Sequence, residues 1–101
     1  MGNFVKVASV ADVPPGQCKS VSADGREIGL FNCDGKFHAI DNVCPHAGGP
    51  LAEGGLDGEV VTCPWHGWRF NVCTGVSAMS PALKVKTFEV KVEGNDVLVG
   101  I

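Results

Sequence analysis

Asp-Gly and other glycine-centred turns cut this chain of 101 residues into short pieces, and that punctuation limits what it can fold into. Asp24-Gly25 and Asp34-Gly35 each lie between β-favouring runs. An Asp-Gly pair in that setting is a strong signal for a two-residue hairpin, because both central positions need positive φ. The two turns predict a meander of three strands over residues 18–22, 26–32 and 36–41. A further strand is expected over 4–8, before the break at Pro14-Pro15-Gly16. Towards the other end, Phe88, Val90 and Val92 alternate with Glu89, Lys91 and Glu93, the period of a half-buried strand. Gly94-Asn95 then turns the chain into Val97, Val99 and Ile101. Leu83 and Val85 have the opposite parity from Phe88, which predicts a bulge or a change of sheet near Lys86-Thr87. No segment carries a sustained helical stripe. The expected fold is all-β, an antiparallel sandwich or small barrel.

The stretch 42–82 differs: it is rich in glycine and holds both tryptophans. It also contains Cys44-Pro45-His46 and Cys63-Pro64-Trp65-His66, separated by 16 residues, each offering one thiolate and one imidazole. Structural zinc sites usually draw paired cysteines or paired histidines, and most iron–sulfur clusters take four thiolates. A Cys-x-His segment facing a Cys-x-x-His segment suits a two-iron cluster, with Cys44 and Cys63 on one iron and His46 and His66 on the other. The reading is a single domain over 1–101, with a metal-organised subdomain of about 42–82 set between scaffold strands.

Composition closes off several functions. Charged residues make up 19% and hydrophobic ones 45%, as in an ordinary globular domain. A net charge of −3 with scattered Lys and Arg argues against nucleic acid. The N-terminus lacks a secretory pattern, and no run approaches the ~18 apolar residues of a membrane span. The expectation is a cytoplasmic protein without a membrane partner, and a monomer. With two of the five cysteines assigned to metal, Cys18, Cys33 and Cys73 are read as small buried hydrophobes, a Cys18–Cys33 disulfide being the open alternative. No Ser/His/Asp set, phosphate loop or dinucleotide fingerprint appears, so no catalytic residue is assigned.

The segments 44–51 and 63–70, with Thr74-Gly75 and Ser80-Pro81-Ala82 after them, resemble the cluster-binding loops of Rieske proteins over nearly the whole chain. In size the chain is most similar to the soluble Rieske ferredoxins of bacterial ring-hydroxylating dioxygenase systems. The resemblance implies one [2Fe-2S] cluster per chain, held by Cys44, His46, Cys63 and His66. It also implies a one-electron carrier, not itself an enzyme, between a flavin-dependent NAD(P)H ferredoxin reductase and a terminal oxygenase. Rieske subunits of respiratory complexes add a disulfide and two hydroxyl donors. The matching positions here are Gly49 and Trp65, and Trp68 and Phe70. Fewer hydrogen bonds to sulfur imply a potential near the low end of the Rieske range, about −150 mV.

Two rival readings are the small Rieske-like subunit of an NAD(P)H nitrite reductase and a structural zinc-binding interaction module. Around the ligands, Leu51, Trp65 and Trp68 are expected to form an apolar shell, with Pro50 and Pro81 closing over the cluster. Gly48, Gly49 and Gly67 are expected to aim backbone N–H groups at sulfur. His38 is read as a solvent-facing strand residue, Asp41 and Asn42 as loop caps, and Glu53, Asp57 and Glu59 as solvated charges.

Overall fold

Both Asp-Gly turns close hairpins, with φ of 53° and 77° at Asp24 and Gly25 and of 54° and 93° at Asp34 and Gly35. They join β2 (Cys18–Ala23), β3 (Arg26–Cys33) and β4 (Lys36–Asp41) in the expected antiparallel meander. The computed structural model describes residues 4–43, 49–65, 67–78 and 83–100. Ahead of the meander lie β1 (Phe4–Ser9) and a short 3-10 turn, η1 (Val10–Asp12). After it come η2 (Leu51–Glu53), β5 (Gly55–Asp57), β6 (Val60–Thr62), β7 (Arg69–Asn71), β8 (Thr87–Phe88), β9 (Val90–Glu93) and β10 (Asp96–Gly100).

The strands form three antiparallel sheets, in the orders β1-β10-β9, β2-β3-β4-β8 and β5-β6-β7. The fold is therefore all-β, as the turn spacing predicts. β3 is the central wall. Its side chains alternate between two cores, so Ile28 and Leu30 face one while Phe31 and Cys33 face the other. The first core adds Val21 and Ala39 from the meander and Val13, Val97 and Val99 from the two ends of the chain. The second adds Ile40, Leu51, Val61, Cys63, Phe70, Val72 and Val85, and supports the third sheet.

One expectation needs correction. Residues 88–93 do not form one strand: Phe88 pairs with Ala39 in the meander's sheet, whereas Val90 pairs with Val99 in the terminal sheet. The change of partner expected near Lys86-Thr87 is present, since Lys84 bridges Val76 and the Val85 N–H donates to the Gly75 carbonyl whereas Thr87 pairs with Ile40. A second change of sheet falls at Glu89. The free-thiol reading of Cys18, Cys33 and Cys73 holds, and the alternative Cys18–Cys33 bridge does not form. Cys18 sits opposite Phe31, which puts Cys33 on the diagonal, about 7–8 Å away between Cα atoms and outside disulfide reach.

Candidate metal centre

β6 and β7 are paired from Val60↔Asn71 to Thr62↔Arg69, and the turn that joins them begins with Cys63. Cys63 is 1% exposed and packs in the second core. Its N–H donates to the Trp68 carbonyl (2.6 Å), and its carbonyl accepts the N–H of Gly67 (3.1 Å). The Gly67 N–H is therefore committed to an oxygen, where the sequence suggested sulfur. Trp65 projects from this turn with 57% of its surface exposed, while Trp68 is partly buried against the second core.

The other half of the centre meets Cys63 through a glycine. A Cβ built on Gly49 would lie 2.9 Å from Cys63 Sγ and 3.0 Å from the Trp65 ring. Backbone thus approaches the sulfur where any larger residue would fill the space. The chain leaves the meander through Val43 and comes back through Pro50, and those two residues are bridged. Asp41 Oδ1 accepts the Val43 N–H (3.2 Å), so its capping role holds. Leu51, fully buried, lies in the same core as Cys63. Cys44, His46 and His66 lie outside the described residues, as do Gly48 and Pro81. Cys63 is the member of the expected ligand set that the structure places.

Cys18, Cys33 and Cys73 are the other described cysteines. Cys73 Sγ lies 3.3 Å from His38 Nε2, so His38 is half-buried against a thiol and not simply solvent-facing. Its parity explains this: His38 is paired with Phe31, on the second-core side of the meander. Burial pushes the Cys33 thiol up to about 11, helped by Cys73, Glu59 and Cys18 nearby. Burial also raises Cys18, and it raises Cys73 together with a hydrogen bond and charge from Glu59, against the lowering effect of Lys36. These three stay protonated at neutral pH and do not compete as thiolate ligands. Glu59 is thus exposed yet tied to that thiol group, whereas Glu53 and Asp57 are solvated as expected. Among the described residues, no three His, Cys, Asp or Glu side chains are grouped to hold a metal ion.

A buried thiol beneath a glycine backbone and next to an exposed ring suits one end of a cluster that must be shielded yet reachable. The family description for the Rieske [2Fe-2S] domain matches residues 3–89. The chain belongs to the Rieske family. Its cofactor is accordingly a Rieske-type [2Fe-2S] cluster, and the buried Cys63 with the glycine backbone packed close to its sulfur is compatible with it. This Rieske chain is 44% identical over 98 residues to the biphenyl dioxygenase ferredoxin subunit of Pseudomonas sp. (strain KKS102), covering 95% of this chain and 90% of that one. It superposes with a TM-score of 0.88, at 37% identity, on a chain from the complex of reduced oxygenase and oxidised ferredoxin in carbazole 1,9a-dioxygenase. That match covers 96% of this chain and 92% of the other. A protein described as the small subunit of an NADH-dependent nitrite reductase from Mycobacterium tuberculosis gives a TM-score of 0.92 at 23% identity, covering 100% and 96%, a likeness of fold alone.

Two features escaped the sequence reading. The contact of Gly49 with both Cys63 and Trp65 joins residues far apart in the chain, and nothing local marks it. Asn42 was legible only as a loop cap, yet it is 5% exposed and accepts the Ala52 N–H on its side chain (2.7 Å).

Proposed function

We propose that this chain is a diffusible one-electron carrier, with Cys44 and Cys63 holding one iron and His46 and His66 the other. The observation that carries the reading is full-length identity of 44% to a dioxygenase ferredoxin subunit. When bound, the cluster would supply a single-electron couple. The chain's own residues do the rest. Cys63 is kept dry by Leu51, Val61 and Phe70. Trp65 and Val43, 57% and 45% exposed, give the two ligand segments an apolar surface suited to a brief encounter. The electron would come from a flavin-dependent NAD(P)H ferredoxin reductase and pass to a terminal oxygenase. Among the described residues, no helix is long and apolar enough to cross a membrane.

The test is direct. The purified chain should be red-brown, hold about two irons and two sulfides, and give a rhombic spin-resonance signal on one-electron reduction. Mixed with a ferredoxin reductase and NAD(P)H, it should then support turnover by a ring-hydroxylating oxygenase. A colourless zinc protein would sink the assignment. Copurification with a large nitrite-reducing polypeptide would move it to the rival reading.

A further inference from the structure

Asn42 stands between β4 and the segment that carries Cys44 and His46, and every polar group it has is engaged. Its backbone N–H donates to the Glu27 carbonyl in β3 (3.0 Å), and its carbonyl accepts the Leu51 N–H (2.9 Å). Its side chain donates from Nδ2 to Ser20 Oγ in β2 (3.1 Å) and accepts the Ala52 N–H of η2 on Oδ1 (2.7 Å). One residue thus fastens two scaffold strands to the turn that follows the segment. The space for its side chain is reserved: a Cβ on Gly29 would come 3.1 Å from Asn42 Oδ1 and 2.9 Å from the Phe31 ring. The Val43–Pro50 bridge sits directly above, so the segment departs and returns through contacts centred on Asn42.

We infer that Asn42 is a positioning residue for the cluster: its side-chain amide ties together the residues on either side of the Cys44/His46 segment, 42–43 and 50–52, and fixes them to the scaffold. This rests on the proposed ligand set. The amide is suited to the task because it offers a donor to one side and an acceptor to the other, which an alkyl side chain cannot. Losing it leaves the Ala52 N–H buried without its acceptor, a cost that falls on the returning end of the segment.

The fold supplies its own control. Asn32, 2% exposed, also makes two side-chain hydrogen bonds, to the Val13 carbonyl (2.7 Å) and from the Gly35 N–H (2.7 Å). Those partners lie on neither ligand segment. The experiment compares the loaded wild type with Asn42→Ala, Ser20→Ala and Asn32→Ala. It follows cluster loss to an iron chelator by visible absorbance, alongside the denaturant midpoint by circular dichroism and the reduction potential. Asn42→Ala should speed cluster loss about ten-fold and Ser20→Ala about three-fold, by loss of both or one of the side-chain hydrogen bonds. Asn32→Ala should lower the denaturant midpoint at least as far, yet leave the loss rate within about two-fold of wild type. The potential should move in Asn42→Ala and stay in place in Asn32→Ala. Equal loss rates in the two asparagine variants, or an unchanged rate in Asn42→Ala, would overturn the inference. Should Asn42→Ala fail to fold, an unchanged rate in Ser20→Ala overturns it alone. A wild-type chain that takes up no cluster overturns the ligand set instead, and the inference with it.

Discussion

At Gly49 one methyl group separates two outcomes. Its would-be Cβ comes 2.9 Å from the buried Cys63 Sγ and 3.0 Å from the Trp65 ring, so at least one of the two side chains must shift to make room. Gly49→Ala should destabilise the protein by about 1–3 kcal/mol through overpacking, and iron per chain should fall with it. Iron analysis and a denaturant titration check both; full iron content at an unchanged midpoint would contradict the contact. Cys33 carries a different prediction. Its thiol is raised to about 11 from 9.0, first by burial and then by Cys73, Glu59 and Cys18. A proton held more tightly in the folded state stabilises it, fully so below pH 9, and that contribution is lost as the pH climbs towards 11. Stability should decline across that window, and Cys33→Ala should flatten the decline in part, since Cys18 and Cys73 are shifted the same way. Parallel profiles for the two proteins would refute it. The proposed ligands Cys44, His46, Cys63 and His66 could be named from sequence because donor chemistry is a property of single residues. The Gly49 contact was not, because it is made only when two distant segments fold together.

Among the elements, legibility follows how local the cause is. The Asp-Gly hairpins depend on adjacent residues and were read from those residues alone. The passage from β8 to β9 depends on which sheet has an open edge, information that lies in β4 and β10 and not in residues 88–93. The alternation of Phe88, Val90 and Val92 is real, but it serves two sheets in turn. η2 and β6 illustrate a second non-local cause. Gly54 ends η2 with its N–H on the Leu51 carbonyl, and a Cβ there would run into the carbonyl oxygen of Thr62, the residue before Cys63. Backbone cannot rotate aside as a side chain can. Gly54→Ala should therefore cost more than Gly49→Ala, about 3 kcal/mol, and a thermal melt within a degree of wild type would disprove the contact.

The whole molecule is built on two cores back to back on β2-β3-β4, and they differ in what they depend on. Every residue of the first core comes from the ends of the chain and the meander; none comes from 41–87. The second is drawn largely from 51–85 and includes Cys63. Stripping the metal should consequently raise amide hydrogen exchange in β5–β7 and η2, with little change in β1–β4 and β10. Uniform loss of protection would mean that the fold stands or falls as one unit. The loaded protein should titrate near the low end of the Rieske range, about −150 mV. Phe70, fully buried, has no hydrogen to donate, and Trp68 has no O–H. A clearly positive potential would refute that.

The separation of the cores bears on how such a carrier ages. Iron–sulfur groups are lost to oxidants in ordinary use, and a small protein built wholly around one would be discarded with it. Here the wall formed by β3, closed by the terminal strands, has an apolar filling separate from the core that holds Cys63. If exchange after metal removal stays confined to the second core, a damaged molecule would wait as an empty shell for a new cluster. Its working life would then be set by resupply of iron and sulfide more than by synthesis of new chains.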